Sequence, residues 1–261
     1  MAQPLHVETT GEGTPVILLH SSGLSGRQWR SLVPELVKRG MRAVVPDLTG
    51  HGASPPLVEP ESFSFRTDVE RVVAIVKETQ AAHVVGHSYG ALVGLHAAAL
   101  LPGALRGVTL YEPVAFGVLD GPEDADARET LARVKMHWGG APEEHEAWLA
   151  QFVDYWGGAG AWTALREPAR AEFRRVGWAV REGVRSLMED QTRASTFARV
   201  TAPMRLFTAE RSPIAAQRVV RRLGEAVEGA KVTTIAGVGH LGPVTNAEVV
   251  TPLLVEAVVG R

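Results

Sequence analysis

Cysteine is absent from the 261-residue chain. That excludes a disulfide framework, a cysteine nucleophile and any thiolate metal site. Lysine and arginine number 27 against 29 aspartates and glutamates, a formal net charge of -2. With neither sign in excess, neither nucleic acid nor an anionic membrane surface is expected as the main partner. No apolar run approaches the ~20 residues of a membrane span. Met1–Thr14 has no basic start followed by an apolar core, so no signal peptide is expected, and a cytoplasmic protein is the default. There is no internal repeat and no low-complexity segment. None of the nine histidines forms a pair with metal-ligand spacing backed by carboxylates, so no metal or other cofactor is expected.

What is present is a chain 45% apolar, enough for one large domain or a core plus a cap. Leu5–Thr10 alternates as an edge strand does. Pro15–His20 (PVILLH) and Arg42–Asp47 (RAVVPD) are continuous apolar runs of the kind covered on both faces. His83–Val85, Gly107–Glu112, Met204–Glu210 and Lys231–Ala236 read as further strands. Between them helical spacing is predicted over Trp29–Arg39, Thr67–Gln80, Ala91–Leu101, Pro213–Val227 (with Ile214, Val219, Val220 and Leu223 inward) and Glu248–Val259. Strands alternating with helices predict an α/β fold with a mostly parallel sheet, with functional residues at the carboxyl ends of the strands. The alternation breaks after Glu112. From about Gly117 to Ala198 no strand-like run occurs. Helical patches fit Asp124–Trp138, Pro142–Trp156 and Pro168–Glu189. Five of the six tryptophans, at 138, 148, 156, 162 and 178, fall in this stretch. It is expected to form a helical lid whose aromatics pack on the core, some of them lining an apolar pocket.

The chemistry centres on Gly86-His87-Ser88-Tyr89-Gly90. An apolar strand precedes this pentapeptide and a helix follows it. A serine on so sharp a turn needs a strained backbone, with no bulk two residues either side; Gly86 and Gly90 meet that demand. The turn lifts the Ser88 hydroxyl above the sheet and sets the Tyr89 amide at a helix N-terminus, where negative charge is stabilised. His240 lies in a glycine-bracketed loop after the last strand, where a base can reach a serine across the strand ends. His87 is beside the serine but is expected to be turned away. His20 and His51 are expected to be structural hydrogen-bonders. His6, His83, His96, His137 and His145 are read as surface or packing residues.

Taken together, PVILLHSSG, PDLTGHGAS, GHSYG and GVGH resemble the α/β-hydrolase family across nearly the whole chain. The resemblance implies a core of residues 1–116 and 199–261 and a helical cap, 117–198, inserted after the strand that the family counts as its sixth. It implies an oxyanion hole made by the amides of Tyr89 and, by position, Ser22. The family's loop normally begins His-Gly; here it is His20-Ser21, and serine lacks glycine's freedom. The family's acid normally follows the next-to-last strand, where this chain has Ser212, which cannot carry charge. Two carboxylates could replace it: Glu112, at the end of the sixth family strand, and Glu210, two residues before the usual position. Glu112 is favoured and keeps the chain order Ser88, Glu112, His240.

The expected function is a serine hydrolase acting through an acyl-enzyme on a small, largely apolar ester, lactone or related acyl substrate. The alternatives are a cofactor-independent peroxidase or perhydrolase, and a non-catalytic ligand-binding protein on the same fold. A small molecule is the expected partner, and self-association is left open.

Overall fold

The apolar runs read as buried strands come together in one sheet. The computed structural model describes residues 4–132, 134 and 138–260. Seven strands lie in the order β1-β3-β2-β4-β5-β6-β7. They are β1 (Val7–Thr10), β2 (Thr14–Leu19), β3 (Met41–Pro46), β4 (His83–His87), β5 (Gly107–Tyr111), β6 (Met204–Ala209) and β7 (Lys231–Ile235). Only β1 is antiparallel, pairing with β3 from the edge. The helices of the core are α1 (Leu32–Lys38), α2 (Phe65–Thr79) and α3 (Tyr89–Leu100), and, near the C-terminus, α9 (Ile214–Ala226), α10 (Gly242–Thr245) and α11 (Ala247–Val259).

Alternation along each strand sorts the helices into two layers. Ile17, Leu19, Val84 and Leu110 pack with α2, α3 and α9, whereas Val16, Leu18, Val85 and Tyr111 pack with α1 and α11. The central strands are thus sealed on both sides, which is why their sequences run apolar without interruption. Two core helices depart from expectation. The segment from Trp29 opens as a 3-10 turn over Gly26–Ser31, and α1 starts only at Leu32. Pro34 explains this, because proline is tolerated in the first turn of an α-helix and not further in. Ile214, expected inward, is 36% exposed at the start of α9.

Between β5 and β6 the described chain is helical: α4 (Ala125–Ala132), α5 (Pro142–Gly157), α6 (Ala161–Ala164), α7 (Glu167–Arg175) and α8 (Gly177–Met188). Of the helix expected over Asp124–Trp138 the described residues show α4, Ala125–Ala132; positions 133 and 135–137, His137 among them, lie outside the described residues. The helix expected over Pro168–Glu189 is two helices, α7 and α8, broken at Val176. The break lets Gly177 approach the Trp138 ring so closely that an added Cβ would sit 3.0 Å from it. Trp138, Trp148 and Trp162 build an apolar core for this segment together with Leu149, Phe152 and Val180. Buried charges fasten it to the sheet domain. Asp124, fully buried, is paired with Arg222 of α9 at 2.8 Å, and Glu182 accepts from the Phe63 amide at 3.0 Å.

Candidate active site

The sharp turn at Ser88 is built as its residue types require. Ser88 has φ 55° and ψ -115°, outside the regions open to an unstrained serine. A Cβ on Gly86 would lie 2.6 Å from Ala91 Cα, and one on Gly90 would lie 2.3 Å from the Leu19 carbonyl oxygen. No side chain fits at either place. The Ser88 amide donates to the Tyr111 carbonyl (2.9 Å), tying the turn to β5.

Glu112 follows β5 with φ 46°, again in the left-handed region. This kink turns its side chain across the end of β6. One carboxylate oxygen accepts from the Thr208 hydroxyl and the Ala209 amide, each at 2.8 Å. The other accepts from the Ser212 hydroxyl at 2.7 Å and from His240 Nδ1–H at 2.7 Å. Four donors match the four lone pairs of an ionised carboxylate. His240 Nε2 in turn lies 2.8 Å from Ser88 Oγ. With its proton held on Nδ1 by Glu112, the imidazole leaves Nε2 free to accept a hydrogen bond from the Ser88 hydroxyl. Ser88, Glu112 and His240 are all buried. Glu210 is exposed, and its carboxylate accepts from the Gly237 amide at 2.7 Å, at the start of the loop that carries His240.

Two aromatic residues hold the histidine loop by its backbone. Tyr111 donates to the Gly239 carbonyl (2.7 Å), and His87 Nε2–H donates to the His240 carbonyl (2.9 Å). Burial, and then the neighbouring His240, push the His87 imidazole well below its ordinary value, which favours the neutral ring. The side chain, beside the serine in sequence, thus fixes the His240 backbone, a task the sequence did not suggest.

The loop after β2 is shaped by two more neutral histidines. His20 donates from Nδ1 to the Ser21 carbonyl and accepts the Leu48 amide on Nε2, both at 2.8 Å. His51 donates to the Thr49 carbonyl (2.8 Å) and accepts the Gly23 amide (3.1 Å). The residue in this loop that needs glycine is Gly23, with φ 75°; a Cβ there would meet the Phe173 ring at 2.1 Å. Ser21 has no positive φ and fits without strain. Ser22 and Tyr89 line one cavity with Ser88. The Tyr89 side chain is anchored at Asp68, which accepts its hydroxyl at 2.9 Å. Asp68 is fully buried, and burial raises its carboxyl above the ordinary range despite hydrogen bonds from Thr49 and Tyr89.

These buried histidines set an acid limit on the fold. Burial, and then neighbouring His20, lower His51 from 6.5 to about 3; burial also lowers His20. The unfolded chain takes up a proton near the ordinary value and the folded chain does not, so stability is present above that value and is lost on acidification. At pH 5 the His51 share of that loss is roughly 2 kcal/mol. Urea unfolding followed from pH 7 to pH 5 should show a steeper decline for the native chain than for His51→Asn. The difference should amount to one proton; equal slopes would remove His51 from this role.

From the helical segment, Trp156 stacks on His240 with ring centroids 4.0 Å apart and planes 29° from parallel. The tryptophan-rich composition hinted at a pocket wall, and Trp156 forms one beside the imidazole. Among the described residues no group of three or more His, Asp or Glu could hold a metal ion, and no helix is long and apolar enough to cross a membrane.

A family model described as "Alpha/beta hydrolase family" matches residues 16–252. The chain belongs to the alpha/beta hydrolase family. As a member, it is a hydrolase by fold and by lineage. Over 239 residues this alpha/beta hydrolase is 30% identical to a pimeloyl-[acyl-carrier protein] methyl ester esterase of Chromobacterium violaceum, covering 90% of this chain and 91% of that one. A shorter match, 42% identical over 41% of this chain, is to a protein of the same name from Methylococcus capsulatus, of which it spans 39%. Among solved structures, a hydrolase from Oleispira antarctica superimposes with a TM-score of 0.76 at 20% identity, covering 98% of this chain and 94% of that one. This last likeness concerns the fold alone.

Proposed function

We propose that this hydrolase is a serine carboxylester hydrolase working through an acyl-enzyme, with Ser88 as nucleophile, His240 as general base and acid, and Glu112 as the carboxylate behind the imidazole. The observation that carries the reading is the unbroken chain from Ser88 Oγ to His240 Nε2 (2.8 Å) and from His240 Nδ1 to Glu112 (2.7 Å). As Ser88 attacks the ester carbonyl, its proton passes to His240, and Glu112 stabilises the imidazolium. Charge developing on the carbonyl oxygen falls to the amides of Ser22 and Tyr89, each such donor contributing about 3 kcal/mol to lowering the barrier. His240 then gives its proton to the departing alkoxide. Water repeats the sequence on the acyl-enzyme, releases the acid and restores the serine.

Residues 117–198 serve in this reading as a cap, supported by Phe152 and Trp156 of α5, which line the cavity that holds Ser88. The substrate is an ester, as the relatives' name suggests; we read it as a small molecule, and the protein as working in the cytoplasm. A fluorophosphonate should form one adduct, located at Ser88, and stop hydrolysis of p-nitrophenyl butyrate in proportion to labelling. An unlabelled Ser88 in a folded protein that also leaves esters intact would overturn the proposal. Oxidation of bromide with peroxide at a rate above ester hydrolysis would replace it with the perhydrolase reading.

A further inference from the structure

Two cavities meet at Ser88. One, about 460 Å³ with its open mouth counted, runs under the helical segment past Val114, Leu131, Val184 and Leu187 to Met188. The other, about 650 Å³ on the same measure, runs past Leu24, Leu165 and Phe173 to Val244. Ser22 and Ser88 belong to both. So do Phe152 and Trp156, four residues apart on one face of α5, which stand between them. Tyr89 lines only the first cavity, and His240 only the second. Among the described residues, no Asp, Glu, Lys or Arg lines either one.

We propose that these are separate chambers for the two halves of a neutral ester: the acyl group occupies the Leu131–Val184–Met188 chamber, and the alcohol the Leu165–Phe173–Val244 chamber. The assignment rests on the Ser88–His240 reading above and on the stereochemistry of the tetrahedral intermediate. Four groups surround the attacked carbon. Ser88 Oγ is one, and the oxyanion is directed at the Ser22 and Tyr89 amides. The leaving oxygen must receive its proton from His240 Nε2, so it lies on the side His240 lines. The acyl chain takes the remaining direction, on the Tyr89 side. Both walls are apolar, so binding gains come from buried hydrocarbon. A carboxylate in either half would be desolvated with no Lys or Arg among the described lining residues to pair with it.

The test uses two ester series. In one, p-nitrophenyl esters lengthen from acetate to octanoate; in the other, acetates lengthen from methyl to octyl, followed by acid release. Met188 and Val244 are 37% and 40% exposed, so a larger side chain can be placed at either mouth without disturbing the core. Met188→Trp should lower the octanoate-to-acetate ratio of kcat/KM at least ~10-fold and leave the octyl-to-methyl ratio within ~2-fold. Val244→Trp should do the reverse. A half-ester of a dicarboxylic acid should be cleaved at least ~100-fold more slowly than its dimethyl diester. A variant that depresses both ratios alike, or the opposite pairing of variant and series, or equal rates on half-ester and diester, would overturn the chamber assignment. If Ser88→Ala retains turnover of both series, it is the underlying serine reading that fails.

Discussion

Replacing Ser88 by alanine should reduce ester turnover by roughly 10⁴- to 10⁶-fold while the protein stays folded. The loss is large because the hydroxyl is the group that meets His240 Nε2, at 2.8 Å. What activity remains would come from the oxyanion amides and from substrate binding. Alanine keeps the Cβ, so it keeps the positive φ and the strain. Ser88→Gly is a useful companion. It should be as inactive, yet more stable than Ser88→Ala by about 1–2 kcal/mol, because glycine occupies φ 55° without penalty. Activity with p-nitrophenyl butyrate and urea midpoints would be measured together. Undiminished turnover in a well-folded Ser88→Ala protein would remove the nucleophile from the proposal.

The second large effect belongs to Glu112. Glu112→Gln should cost about 10³- to 10⁴-fold in kcat. The amide oxygen of a glutamine would face Thr208 and the Ala209 amide, leaving its NH₂ towards Ser212 and His240. The imidazole would then shed its Nδ1 proton and carry one on Nε2, where it can no longer accept from Ser88. Glu210→Gln should stay within ~2-fold, since that exposed side chain accepts from the exposed Gly237 amide and glutamine can do the same. The reverse ranking would reassign the acid. Ser212 offers a further check. Its hydroxyl is 2.7 Å from the Glu112 oxygen that meets His240, so Ser212→Asp in a Glu112→Ala background should recover part of the lost rate.

The contrast between Ser88 and Glu112 marks what could be read from the sequence. The sheet was legible because strands covered on both faces run apolar, and the Ser88 turn because it is a local event written in five consecutive residues. The partner of His240 is not local. Glu112 closes β5, whereas three of the groups that fix its carboxylate, Thr208, Ala209 and Ser212, come from the end of β6 and the loop after it. Ser212 looked like a missing charge and is instead a donor to one. The helices between β5 and β6 were harder to read. Their boundaries answer to packing within the segment, as the break at Val176 shows, and the period of their apolar residues does not register that. Nothing in the order of residues placed Trp156, rather than another tryptophan, against the imidazole.

Trp156 is carried by α5, outside the sheet, yet it roofs the His240 ring, the proposed proton carrier. A displacement of α5 wide enough to admit a bulky ester would strip that roof and let solvent onto the base. On the proposed reading, how wet the base is depends on where α5 sits, so a helix outside the sheet sets the solvent access of the proton carrier.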